Sequence, residues 1–311
     1  MNSRTLTNLS LLAAVGALAL LAIYRPGIHP PPPLPHLTRR HADQVQHIRI
    51  ESGQHRLELE RRQGRWVIRH QPPIPADRVA VDRLLGLLQQ PYKRSYGTGE
   101  VKLKTLGLDP PRSRVHFDDL TMDFGNTDPL GSLRYVRIGK RVYLILDSVA
   151  TLRNARPSSL ASPRLLPGKA SPQRIRLPDL SLQRDAKGQW RVAPERPGVG
   201  ADQIQALVDA WRETRAQWLT DLAPEQKKGA EKAGKGVDID LGQAQIHFDI
   251  GTRLLRRPDL GLEYHLGEAQ MKALLQLQPA AEPEKTKQAH PGTKAATPGK
   301  QPAPAHPGGG H

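Results

Sequence analysis

The 311-residue sequence contains no cysteine. That removes disulfide staples, thiolate metal sites and a cysteine nucleophile together, although it leaves the compartment open. Aromatic residues make up only 4%, so no large aromatic-lined pocket is advertised. Signatures of catalysis are also missing: there is no GxSxG elbow, no HExxH and no complete GxGxxG, and "YGTGEVK" only begins the last of these. "GAEKAGKG", Gly229 to Gly236, has P-loop glycines and a lysine, but Gly236 stands where a magnesium-binding hydroxyl is needed. It reads as a flexible insertion, and nucleotide is not expected as a ligand.

Metal and acid–base chemistry fare no better. Asp118, Asp119 and Asp123 lack the glycine and spacing of a calcium loop, and His290, His306 and His311 offer no fixed geometry. His116-Phe117-Asp118 and His247-Phe248-Asp249 place His and Asp two apart, hence on one strand face with Phe on the other. With Phe facing a core, both polar pairs read as surface pairing without a pocket or nucleophile. No residue is assigned a catalytic, cofactor-binding or metal-ligating role, and an enzyme is not expected. Tyr92, Lys93, Arg94 and Tyr96 form the one basic cluster with aromatic platforms. A strand returning to a sheet explains it equally, and nucleic acid is not expected as a partner.

What the chain does have is positive charge, an apolar N-terminal run and an internal echo. The formal net charge is +16. Residues 1–28 hold Arg4 and Arg25 without an acid, and residues 279–311 hold four lysines against Glu282 and Glu284, so +12 falls on the middle of the chain. Such a field favours anionic partners, including envelope polymers and lipid head groups.

"LTNLSLLAAVGALALLAIY", Leu6 to Tyr24, is uncharged and followed by Arg25. Its length suits a transmembrane signal anchor over residues 1–25 in the inner membrane. A cleavable signal peptide competes through "ALA" at Ala17–Ala19, but no polar region follows that site. Flanking charges alone would keep the body in the cytoplasm, yet long domains translocate largely regardless of them. "RPGIHPPPPLPHL" then reads as a polyproline stalk within residues 26–43. Residues 279–311, rich in Pro, Ala, Gly and Lys, read as a disordered tail.

Between them the chain repeats itself. "GRWVIRHQPPIPAD", Gly64 to Asp77, returns as "GQWRVAPERPGVGAD", Gly188 to Asp202. Each gives a strand headed by Trp66 or Trp190, a proline corner, and an Asp expected to cap an amphipathic helix. His116 matches His247 and Tyr135 matches Tyr264, while the hairpin Arg137 to Asp147 has no evident second copy. Short helices are expected at Ser148–Asn154 and Glu268–Leu277. The reading is α+β: two tandem modules, 44–156 and 173–278, joined by a linker at 157–172. Each is expected to carry an antiparallel sheet and one long helix.

"GRWVI", "PAD" before a helix, "LGLDPP" and "YVRIGKRVYLI", with Trp66, Ala76-Asp77, Gly107-Leu108-Asp109-Pro110 and Tyr143, carry a resemblance over residues 45–155. The chain resembles an uncharacterised bacterial family of membrane-anchored proteins described by a domain of unknown function. Its members are often encoded beside gliding-motility-type ABC transporter genes. The resemblance carries no catalytic residues. It implies a periplasm-facing body and a link to an envelope transport system. The reading of the whole chain is a single-pass accessory at the inner membrane that binds another envelope protein, with binding of anionic polymer or lipid head groups as the alternative and a hydrolase with an unrecognised site behind both.

Overall fold

The computed structural model describes residues 3–24, 34–148, 155–168, 170–223 and 235–277. The four prolines Pro30 to Pro33, most of the Gly229–Gly236 insertion, the Ser148–Asn154 helix beyond Ser148 and the 279–311 tail lie outside them.

Alternation builds the first sheet. β1 (His47–Ser52) and β2 (His55–Arg62) bury Ile48, Ile50, Leu57 and Leu59 on one face. Gln63 and Gly64, both at positive φ, make the two-residue turn into β3 (Arg65–Ile68). The corner ends in β4 (Ile74–Pro75), and a short helix α2 (Arg78–Leu85) follows, burying Val81, Leu84 and Leu85. The remaining strands are β5 (Tyr92–Gly97), β6 (Ser113–Phe117), β7 (Leu120–Thr127), β8 (Leu133–Ile138) and β9 (Arg141–Leu146). They assemble as a nine-stranded antiparallel sheet in the order β4-β3-β2-β1-β6-β7-β8-β9-β5.

The second sheet repeats that order with one strand fewer. β10 (Arg174–Arg176), β11 (Ser181–Arg184) and β12 (Trp190–Ala193) precede α3 (Ala201–Glu213). β13 (Trp218–Asp221), β14 (Gly236–Asp240), β15 (Gln245–Gly251), β16 (Leu254–Arg257) and β17 (Leu262–His265) follow, then α4 (Glu268–Leu275). The sheet runs β12-β11-β10-β14-β15-β16-β17-β13. Strand for strand this is the first sheet without a counterpart of β4.

Register fixes the residue equivalences. Arg61 faces Trp66 as Arg184 faces Trp190, and Asp123 faces Arg137 as Asp249 faces Arg256. Val136 faces Tyr143 as Leu255 faces Tyr264. Tyr264 is therefore the counterpart of Tyr143, not of Tyr135, and β16–β17 is the hairpin that appeared to be missing.

The α+β expectation with one long helix per module does not hold. Strand accounts for 39% of the described residues and helix for 23%. α2 is only eight residues long. Trp218–Asp221 and Leu254–Arg257 both pair into the sheet, the second with its alternate residues Leu255 and Arg257 buried. The transmembrane expectation also fails among the described residues: no helix is long and apolar enough to cross a membrane. α1 (Ser3–Tyr24) is exposed over its described side chains, residues 6–21.

The linker is built into both modules rather than hanging between them. Asp77 N–H donates to Leu160 O at 2.7 Å and Ser162 N–H to Pro75 O at 2.7 Å. On the other side Ala216 N–H donates to Pro163 O at 2.8 Å, and Ser158 Oγ–H to Asp221 Oδ2 at 2.5 Å. One continuous apolar core runs from Leu37 to Leu274. Neither Asp caps as expected. Asp77 holds the cap position of α2 without a side-chain cap bond, and lies 3.8 Å from Arg215 of the other module. α3 is capped at Gly200, whose N–H is accepted by Gln203 Oε1, and Asp202 sits inside the first turn, where its charge complements the dipole.

Candidate functional site

The two modules differ most at one sheet edge. In the hairpin β11–β12, Asp185 N–H donates to Gln189 O and Arg184 N–H to Gln173 O. Ladder alternation then turns the backbone groups of Trp190 and Val192 away from β11, toward the edge. In the first module the same edge is closed. β4 pairs with β3, Ile68 facing Ile74, and Ala76 N–H donates to Trp66 O at 3.0 Å. Ala76 then bridges to Ala161 of the linker.

In the second module the counterpart segment takes another path. Gly198 at φ +80° turns the chain, and Val199 N–H donates back to Arg196 O. Val199 still packs against the core. Among the described residues no strand or isolated bridge pairs with β12 from that side. The other ends are managed differently. β5 is broken by a bulge between Tyr92 and Arg94 and carries Lys93, and β13 has its last residue, Asp221, engaged by Ser158. β12 is short and carries the exposed Arg191, but it has neither a bulge nor a side chain engaging its end among the described residues. Trp190 lies on the core side under the Arg184 guanidinium, 5.3 Å from the ring centre, and its buried indole N–H has no partner among the described residues.

The outer faces carry the polar residues that the sequence singles out. His247 Nδ1 lies 2.7 Å from Asp238 Oδ1, and its Nε2 lies 3.1 Å from Asp249 Oδ1, with Phe248 fully buried behind. Burial lowers the His247 pKa, but its two carboxylate neighbours outweigh that and the net shift is upward. The first module does not repeat this pairing. Asp118 lies past the strand end at φ +52°, where it accepts the N–H groups of Gln46 and His47. His116 hydrogen-bonds to Thr121, and burial moves its pKa down, with Glu51 opposing. The buried carboxylate of that face is Asp123, 5% exposed and held by Arg114 and Arg137 at 2.5 Å each. His116 and His247 therefore stand on non-equivalent strands, β6 and β15.

Net charge divides unevenly as well. Residues 44–156 hold 20 Lys and Arg against 12 Asp and Glu, whereas residues 173–278 hold 16 against 15. Tyr92 packs edge-on to Tyr143 at 4.9 Å, which gives that aromatic residue of the basic cluster a packing role. Among the described residues no group of three His, Asp or Glu side chains is placed to hold a metal ion.

No curated protein and no solved structure matches the chain. Residues 66–228 match the family described as "Domain of unknown function (DUF4340)", a span that starts at Trp66 of the first module and crosses the linker into the second. That is more than half of the chain, and the protein belongs to this family of unknown function.

Proposed function

We propose that this protein is a non-catalytic accessory of the bacterial envelope that holds a partner protein by adding an extended segment of that partner to β12. The observation that carries the reading is the edge itself. The molecule closes the equivalent edge of its first sheet with its own chain and, among the described residues, leaves this one unpaired. Backbone pairing at Trp190 and Val192 supplies affinity, and the side chains of the incoming strand supply selectivity. The edge is four residues long, so the contact is modest and the partner must touch the protein elsewhere too. A periplasmic location beside the inner membrane, and service to an ABC-type transport system, belong to the same proposal and rest on the sequence resemblance.

A photoreactive residue at the exposed Arg191 should capture the partner in cells, and one at the exposed Arg65 of β3 should not. Val192→Pro removes an edge-facing donor, and it should abolish capture while the far-ultraviolet circular dichroism is unchanged. Equal capture from both positions, or capture that survives Val192→Pro, contradicts the proposal.

A second reading has its own observation. The excess of cations in the first module makes it the side on which anionic envelope polymer or lipid head groups would be held. Binding of that kind should collapse between low and high salt, whereas strand addition should not.

A further inference from the structure

A cleft of about 280 Å³ opens where the modules meet. It is lined by Pro72 and Pro75 of the first module, Leu165 of the linker, and Ile246 and Leu260 of the second module. Its volume sits just under the roughly 300–1,000 Å³ of ordinary small-molecule sites. Beside the exposed Arg164 of the linker, the second module brings a buried cation to this largely apolar space. Arg257 is 8% exposed, and its guanidinium lies over the Phe248 ring, 5.4 Å from its centre. By register Arg257 is the counterpart of Ile138, because Arg256 and Arg137 are equivalent and each comes one residue earlier. The fold accepts a branched alkyl group at this place in one module, so the sheet itself does not require arginine there. Desolvating a guanidinium is costly and calls for a compensating role.

Asp259 supplies part of the compensation. It accepts from Nε at 2.8 Å and from Nη2 at 2.6 Å. Nη1 has no hydrogen-bond partner among the described residues. Beside it, Tyr264 is 2% exposed and lines the same cleft, and its hydroxyl also lacks a partner among the described residues. Burial pushes the phenol up to about 12, with Arg257 opposing, so the hydroxyl stays protonated and donates. The polar end of the cleft thus offers N–H and O–H donors, and its one carboxylate is already engaged.

We infer that the cleft binds a small apolar molecule ending in a carboxylate, with the head group against Arg257 Nη1 and the Tyr264 hydroxyl and the body against Pro72, Leu165 and Ile246. The chemistry fits a free medium-chain carboxylic acid. Phosphate- and alcohol-headed analogues share the apolar body and differ at the head.

The probe is decanoate, titrated calorimetrically into the full chain, with decanol and decyl phosphate as the other arms. Decanoate should bind at least tenfold more tightly than decanol. Arg257→Ile, which installs the first module's alkyl group, should weaken decanoate at least tenfold without lowering the melting temperature. Tyr264→Phe should weaken it severalfold. Three results each overturn the inference: no decanoate binding, equal affinity for decanoate and decanol, or undiminished decanoate binding by Arg257→Ile. Tighter binding of decyl phosphate than of decanoate replaces the carboxylate with a phosphate head and overturns the assignment of the ligand class.

Discussion

The two modules share a strand order but not a surface. The first carries the charge, +8 by the counts above, and seals its β3 edge with β4 and the linker. The second is nearly neutral, leaves β12 open and places Arg257 where the first has Ile138. Their interiors diverge less, since both bury one apolar face of an antiparallel sheet under a short helix. Duplication preserves what packing demands, namely Trp66 and Trp190 at one register position and alternating branched residues along the ladders. Edges and solvent faces are under no such demand, and there the copies have separated.

The largest expected effect tests how far the interiors differ. Trp211 is fully buried on α3, lies 5.4 Å from Phe248, and donates its indole N–H to Leu274 O at 2.9 Å. α2 has no aromatic counterpart and buries Leu84 instead. Trp211→Ala should cost about 3–5 kcal/mol, at the upper end because Leu274 O is left without that donor, and Leu84→Ala should cost less. Urea unfolding measures both, and equal losses would mean that the two helices anchor their sheets alike.

Next in size are the equivalent carboxylates. Asp123 stands between two arginines, and its loss leaves both unpaired, so Asp123→Ala should cost about 2–3 kcal/mol after discounting for the partly exposed guanidinium groups. Asp249 pairs with a half-exposed imidazole, and Asp249→Ala should cost about 1 kcal/mol or less. The same denaturation experiment ranks them, and the reverse order would break the comparison of faces. Gly125 and Gly251 are also equivalent. A Cβ at Gly125 would lie 2.3 Å from the Leu106 carbonyl oxygen, whereas at Gly251 it would meet the movable end of Leu254. Gly125→Ala should therefore cost about 1–3 kcal/mol and Gly251→Ala distinctly less.

The smallest effect is in the histidines. His247 is raised, so the stability it contributes is complete below the ordinary 6.5 and is lost as pH rises through its higher folded value. His116 is lowered, so its contribution holds above 6.5 and is lost as pH falls through the depressed value. Imidazole titration followed by NMR should separate the two in opposite directions. Coincident midpoints would remove this distinction between the faces.

Much of this organisation was written in the sequence, though not all in the right place. Trp66 and Trp190, each after a glycine turn, do occupy the same register, because a turn and its following strand are local features. The echo of His-Phe-Asp misleads by one strand. Ladder pairing makes Met122 the counterpart of Phe248 and Phe117 the counterpart of Ile239, all core residues that packing lets interchange. The second hairpin was invisible because "LLRR" and "LEYH" resemble "LRYVRI" and "RVYLIL" only in alternation. The open edge was not legible either. "PPIPAD" and "PGVGAD" look alike, and only the backbone at Gly198 decides that Ile74 joins a sheet while Val199 does not. Arg257 carries no signal of its own, since nothing in "RLLRRPDL" says that its third arginine faces inward.

The central claim is that β12 is open where β3 is closed, and amide hydrogen exchange on the free protein tests it residue by residue. Ile68, paired with Ile74, should exchange slowly, while its counterpart Val192 should exchange orders of magnitude faster, and Val192 should become protected when a partner is bound. Protection of Val192 equal to that of Ile68 in the free protein would contradict the account.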